Sequence, residues 1–160
     1  MIESAEQYDL PYLRDLVAYK ADTTNILTCV RLIRMNAQAV SLENAILPGG
    51  VVSNETFLAA FTADSIKERE AVLYDALRKT RYNTAKLSET DSLTVIERSC
   101  ENAYLAFVRC EAKKKLYGAQ ILAAFVIARE TEVKNIRIVI SGRAASLPAE
   151  VIKERLRTYA

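Results

Sequence analysis

Glu130 and Glu132 are close enough in sequence to suggest a general acid and a general base. On a helix, residues i and i+2 point in different directions, so this pair does not flank one reacting bond. Glu130 reads instead as an ion-pair partner for Lys134, four residues on. The run Lys113-Lys114-Lys115 could touch phosphate, yet it lacks interleaved aromatics and reads as the solvated end of a helix, where cations complement the dipole. Cys29, Cys100 and Cys110 form no CxxC pair, and each falls in a helical pattern where cysteine acts as a small buried hydrophobe. The chain has no histidine, which removes Ser-His-Asp and Cys-His catalysis and His-ligated zinc or haem. No P-loop, GxGxxG or metal-ligand cluster is present. Of the eight tyrosines, Tyr8, Tyr12, Tyr74, Tyr82, Tyr104, Tyr117 and Tyr159 read as lying near helix ends and Tyr19 inside a helix, where amphipathic rings serve either interfaces or helix junctions. These residues lead to the expectation of no catalytic centre, no cofactor and no metal.

A protein that works through its surfaces needs a stiff scaffold. The 160 residues, 51% hydrophobic and 26% charged, are enough for one buried core. With 4 glycines and 3 prolines, breakers are too scarce for the many turns of an all-β fold, so long helices are expected. A net charge of +2 is too weak for a dedicated nucleic-acid binder. The charge is uneven: residues 1–100 carry 11 basic and 14 acidic groups, residues 101–160 carry 11 and 6, so one face or end is expected to be electropositive. The N-terminal residues lack the basic and apolar regions of a signal peptide. The uncharged stretch Leu116 to Ala128 falls short of the ~20 residues that span a bilayer. A soluble chain in a reducing compartment is the expectation.

The helices can be placed from caps and periodicity. Asp9 caps a helix with Pro11 in its first turn, and Tyr12, Leu16, Tyr19, Thr23, Ile26, Val30, Ile33 and Ala37 repeat by three and four, giving a helix over 10–37. After the Leu-Pro-Gly-Gly break at 47–50, Ser53 caps a short helix through Phe57 and Phe61. Asp64 or Ser65 caps another, running to about Thr80. Asp91 or Ser92 opens a helix with Leu93, Ile96, Cys100, Ala103, Phe107 and Cys110 on one side, which Gly118 separates from a long helix over 119–141. Gly142 is a natural C′ residue, and Leu147-Pro148 introduces a last helix ending near Tyr159. The β-branched run Ile136 to Ile140 competes as a strand, but the apolar spacing from Ile121 to Ile140 favours helix.

The two long helices repeat at an offset of 110 residues. Asp22-Thr-Thr-Asn25-Ile26 stands against Glu132-Val-Lys-Asn135-Ile136, and Cys29-Val30 against Val139-Ile140. Leu47-Pro48 and Leu147-Pro148 read as a further equivalent pair, with a ten-residue loop change between units. Asn is unfavourable inside a helix, so Asn25 and Asn135 require a reason. Either they are polar contact points, on a partner or between repeats, or they make intrahelical bonds that stabilise a bend.

The stretch Glu132-Val-Lys-Asn135-Ile136-Arg137, then Ser141-Gly142-Arg143, then Leu147-Pro148-Ala149-Glu150-Val151-Ile152-Lys153-Glu154-Arg155-Leu156 resembles the C-terminal signature of the C subunit of the V-type and archaeal A-type ATPases, whose eukaryotic counterpart is the d subunit. The resemblance extends to Asp22, Asn25, Ile26 and Ile46-Leu47-Pro48-Gly49-Gly50. It implies an all-α fold of antiparallel long helices in pseudo-repeated units. These would be part of a three-unit funnel, with residues 1–63 as the second unit and 64–160 as the third, and the chain would be a C-terminal fragment. It implies a non-catalytic central-stalk component whose partners are the rotor-shaft subunits and the membrane proteolipid ring, peripheral at the cytoplasmic face. In isolation it would be a monomer or weak oligomer. Glu55, Pro148 and Glu150, placed after the breakers, are the candidate partner interface, read as corresponding rims of the two units. A generic helical adaptor, marked by a hydrophobic groove, and a small helical enzyme, marked by a buried Lys in a closed pocket, are the other readings.

Overall fold

A computed structural model describes residues 11–38, 42, 44–79 and 92–158. The described residues form six helices: α1 (Pro11–Arg34), α2 (Asn54–Thr62), α3 (Ile66–Lys79), α4 (Leu93–Lys113), α5 (Ala119–Ala144) and α6 (Ala149–Arg155). No strand occurs among them, and the Ile136 to Ile140 run lies inside α5. The proposed Asp9 cap, Tyr8, Tyr82 and Tyr159 lie outside the described residues.

Capping side chains set the helix starts. Ser53 accepts from the Thr56 N–H at α2, and Ser92 from the Val95 N–H at α4. At α3 the Ser65 hydroxyl accepts from the Glu68 N–H while the Glu68 carboxylate accepts from the Ser65 N–H, a reciprocal capping box. The long helices stop in the same way. Asn36 and Ser146 both have φ 54°, the left-handed conformation that ends a helix. Around them the Asn36 N–H donates to Ile33 O and the Ala37 N–H to Leu32 O, and the Ser146 N–H donates to Arg143 O and the Leu147 N–H to Gly142 O. Both are Schellman motifs, and they lie 110 residues apart. The first long helix therefore ends at Arg34, short of residue 37, and the second runs on to Ala144.

Helix α1 is the centre of the fold, packed against α2, α3, α4 and α5. Its residues Ile26, Cys29, Val30 and Ile33 are fully buried together with Leu42, with Phe57 and Ala60 of α2, with Leu73 of α3 and with Ile96 of α4. Ser53 and the capping box fold α2 and α3 into a hairpin that covers this face of α1. A second cluster joins α1 to α4 through aromatics: the Tyr19 ring lies 5.5 Å from Phe107 and 5.3 Å from Tyr104, and Tyr12 stacks on Phe107 at 6.5 Å. Tyr74 and Tyr104 lie well inside α3 and α4, so they serve helix junctions; Tyr117 is exposed. Cys29 and Cys100 are buried as expected, but Cys110 is exposed on α4.

Candidate functional site

The residues of the sequence repeat form clamps. The Asn25 side-chain N–H donates to Leu47 O at 2.9 Å, and its Oδ1 accepts from the Leu47 N–H at 2.8 Å. Asn135 does the same with Arg157, at 2.9 Å for both bonds. Each amide satisfies both polar groups of one residue 22 positions downstream. The bonds run between a helix and the segment that returns to it, so the intrahelical reading is corrected, and so is a contact between repeats: each clamp closes its own unit. A carboxylate could not donate and a hydroxyl could not span both groups, which is why Asn occupies a position its helix propensity disfavours.

The clamps also correct the register of the repeat. At a constant offset of 110, Leu47 is equivalent to Arg157 and Leu147 to Ala37. The pairing of Leu47-Pro48 with Leu147-Pro148, and with it the ten-residue loop change, does not hold. Leu42 and Ile152, both buried, keep the constant offset. Glu55 and Glu150 are therefore not equivalent positions, although both are exposed, as is Pro148. Glu150 pairs with Lys153 at 3.0 Å.

Asp22, 1% exposed, accepts from the N–H groups of Val51 and Val52 at 2.9 and 3.0 Å, fixing the chain as it enters α2. Burial pushes its carboxyl above the ordinary range, and the two backbone N–H groups oppose that rise. Glu132, its counterpart, is exposed and pairs with Arg129 at 2.7 Å. Ile26 is fully buried and Ile136 is not. Arg137 and Gly142 line a shallow recess of about 420 Å³ with Ile152 and Arg155, and Arg143 is exposed. Gly142 is inside α5 rather than at C′. A Cβ there would lie 2.7 Å from Ile152 Cγ1, so the glycine is required for the close approach of α6.

Sequence reasoning missed the polar ties of the second unit. Arg157 bonds to Glu101, and Lys134 reaches Glu101 at 3.5 Å, in place of the expected pairing with Glu130. Burial raises the Glu101 carboxyl, but the Arg157 hydrogen bond, with the charges of Arg157, Lys134 and Lys20, holds it below its ordinary value. The Thr158 N–H donates to Asn102 Oδ1 at 3.0 Å. With the N–H groups of Arg157 and Thr158 held by Asn135 and Asn102, the chain is extended beyond Arg155, and α6 ends there rather than near Tyr159. Also missed was the pair of Arg34 with Glu70, at 2.6 and 2.9 Å, whose carboxylate also accepts from Tyr74 at 3.1 Å. Lys20 is exposed over the Tyr104 ring, 5.2 Å from its centroid, at a recess of about 90 Å³. No group of three or more candidate metal ligands occurs among the described residues.

The geometry defines an all-helical protein built from a repeated unit of long helix, Schellman turn and asparagine clamp. The chain belongs to the ATP synthase (C/AC39) subunit family, whose model matches residues 1–155. It is 27% identical over 155 residues to the C subunit of the V-type sodium ATPase of Enterococcus hirae, covering 95% of this chain and 46% of that protein. It is 26% identical over 158 residues to the C subunit of the A-type ATP synthase of Haloquadratum walsbyi and 28% over 156 residues to that of Haloferax volcanii, covering 42% and 43% of those proteins. The chain thus spans about half the length of the curated relatives it matches. No significant match to a solved structure was found.

Proposed function

We infer that this chain is a non-catalytic central-stalk component of a rotary V/A-type ATPase, coupling the rotor-shaft subunits to the membrane proteolipid ring in ATP-linked proton or sodium transport. The observation that carries the reading is family membership across residues 1–155, with relatives named as the C subunit of such complexes. The physical design agrees with it. A part that transmits torque must resist bending between its helices. Clamps at Asn25 and Asn135 fix the returning segment against each long helix by two hydrogen bonds that water would otherwise contest. Its position is peripheral at the cytoplasmic face, and among the described residues no helix is long and apolar enough to cross a membrane.

Glu55, Pro148 and Glu150 are the positions proposed to face the partners. The test is co-purification of the tagged full chain from its native host with the rotor shaft and the ring. Recovery of both is expected, and charge reversal at Glu55 and Glu150 should reduce it. Recovery of neither would reject the stalk assignment, and unchanged recovery by the reversed variant would remove these positions from the interface. The exposed apolar face of α5 is the one observation that favours a helical adaptor.

A further inference from the structure

The recess between α5 and α6 joins an apolar floor to a basic rim. Arg137 and Ser141, one turn apart on α5, line it together with Arg155 of α6, with Gly142 and Ile152, and with Leu147 of the connecting turn, around a volume of about 420 Å³. Arg137, Ser141 and Arg155 are exposed, whereas Gly142 and Ile152 are buried, so the polar side chains form the rim and Ile152 the floor. The floor depends on Gly142, because any Cβ there would hold Ile152 and with it α6 away from α5. Among the described residues neither the Arg137 nor the Arg155 guanidinium has a hydrogen bond or an ion pair, in contrast to those of Arg34 and Arg157, which Glu70 and Glu101 hold. At the constant offset these two positions are Leu27 and Ala45 in the first unit, where Leu27 packs against the core. The packing of the unit therefore asks for no charge at either place.

We propose that this recess binds an acidic peptide segment with one apolar anchor residue, the anchor lying against Ile152 and Leu147 and its flanking carboxylates on Arg137 and Arg155. The proposal goes beyond the stalk assignment and does not depend on it, since it rests on the chemistry of the recess. A guanidinium presents a planar fork of donors that matches a carboxylate in two parallel bonds. Two such forks beside an apolar floor select a ligand whose negative charges flank an apolar group. A free phosphate is one compact anion and would leave the floor against water, and a bilayer surface would meet the rim and leave the floor empty. No aromatic side chain lines the recess for a base to stack on, which disfavours a nucleic acid. A neighbouring recess, also lined by α6, adds Arg98, Lys153 and Arg157, against Glu150 and Glu154 on the helix itself. The excess of basic groups at this end of the molecule draws an acidic chain toward it.

The test is fluorescence anisotropy of a fluorescein-labelled peptide, Glu-Glu-Leu-Glu-Glu, titrated with the full chain at low salt. Saturable binding is expected with a Kd of about 100 μM or tighter, from one buried leucine and two charge-assisted pairs. Replacing the peptide's leucine by serine should weaken it about tenfold or more. The double variant Arg137→Gln with Arg155→Gln should do the same with its circular dichroism unchanged, because both side chains are exposed. Arg14→Gln with Lys67→Gln removes two equally exposed charges from α1 and α3, and should leave the affinity within about twofold. No saturable binding up to ~1 mM, far above the expected Kd, would overturn the proposal. Equal binding of the serine peptide, or equal weakening by the α1/α3 pair of substitutions, would reduce it to attraction by net charge and overturn it as well. So would displacement of the peptide by an equal concentration of inorganic phosphate, or phosphatidylserine vesicles that bind the chain and lose it in the Arg137 and Arg155 double variant, since the recess would then take an anion or a membrane.

Discussion

Asn25 and Asn135 hold identical places in two helices and grip the backbone of Leu47 and Arg157 with the same pair of bonds, 22 residues downstream in each case. Replacing either amide leaves an N–H and a C=O without their partner. Asn25 is 2% exposed and Asn135 half-buried, so water can replace the lost bonds only at the second site. Asn25→Ala should therefore destabilise the fold by about 2–4 kcal/mol and Asn135→Ala by about 1–2 kcal/mol. Urea denaturation followed by circular dichroism measures both, and equal losses would show that burial does not set the difference.

Gly142 faces Ile152 at a distance that leaves no room for a methyl group. Alanine would gain about 1 kcal/mol in helix propensity, but the clash must push α6 away. Gly142→Ala is expected to destabilise by about 1–2 kcal/mol overall, and Ile152→Val in the same chain should recover part of the loss, since space is what the pair lacks. A double-mutant cycle with no coupling between the two sites would contradict this.

The long helices were legible because their apolar residues keep one period over many turns, and Ser53, Ser65 and Ser92 announce helix starts by their own hydrogen-bonding chemistry. The ends were less legible. Asn36 and Ser146 are not the glycines that usually mark a left-handed C′ residue, while Gly142, which resembles one, serves packing instead. The role of Asn25 and Asn135 depended on partners 22 residues away in loops with no shared sequence, Leu47 in one and Arg157 in the other. A strict offset of 110 would have aligned those partners; the coincidence of two Leu-Pro dipeptides obscured it. Distant ion pairs such as Arg34 with Glu70 leave no local pattern at all.

Glu101 and Asp22 should respond to pH in opposite senses. Burial raises Glu101, yet Arg157, Lys134 and Lys20 together hold its carboxyl below the ordinary value, so the folded state binds its proton less tightly than the unfolded chain. Its contribution is full above the unfolded value and is lost as pH falls through the depressed folded value. Burial raises Asp22 despite its two N–H partners, so its protonated form favours folding and stability declines as pH rises from the ordinary value through the raised one. In urea midpoints measured from pH 3 to 7, Glu101→Gln should flatten the acid loss and Asp22→Asn should remove part of the opposing decline. A steeper acid loss in Glu101→Gln would reverse the assigned sign.

Thiol reactivity should single out Cys110. Burial pushes the Cys29 and Cys100 thiols up to about 12, so at pH 8 they are both inaccessible and protonated. Cys110 is exposed. Titration of the native protein with a thiol reagent such as 5,5′-dithiobis(2-nitrobenzoate) is expected to label one cysteine rapidly, and in urea all three. Rapid labelling of Cys100 in the native state would mean that the α1/α4 junction opens.

Arg34 and Glu70 tie the end of α1 to α3 by a two-pronged pair in which the carboxylate side chain is 3% exposed and the guanidinium side chain 29%. The hydrogen bond to Glu70 raises the Arg34 guanidinium above its ordinary value, against the opposing effect of burial. Removing one partner differs from removing both. Arg34→Leu strands the carboxylate of Glu70 in the core with, among the described residues, the Tyr74 hydroxyl left to satisfy it, and should cost about 3–5 kcal/mol. Glu70→Gln retains acceptor and donor capacity and leaves Arg34 partly in water, so a loss of about 1–2 kcal/mol is expected. The double variant Arg34→Met with Glu70→Leu buries no charge and should be closer to wild type than Arg34→Leu, because the pair's attraction largely offsets its desolvation. Urea denaturation of the three variants orders them. A double variant less stable than Arg34→Leu would show that the ion pair stabilises the α1/α3 contact well beyond the cost of burying it.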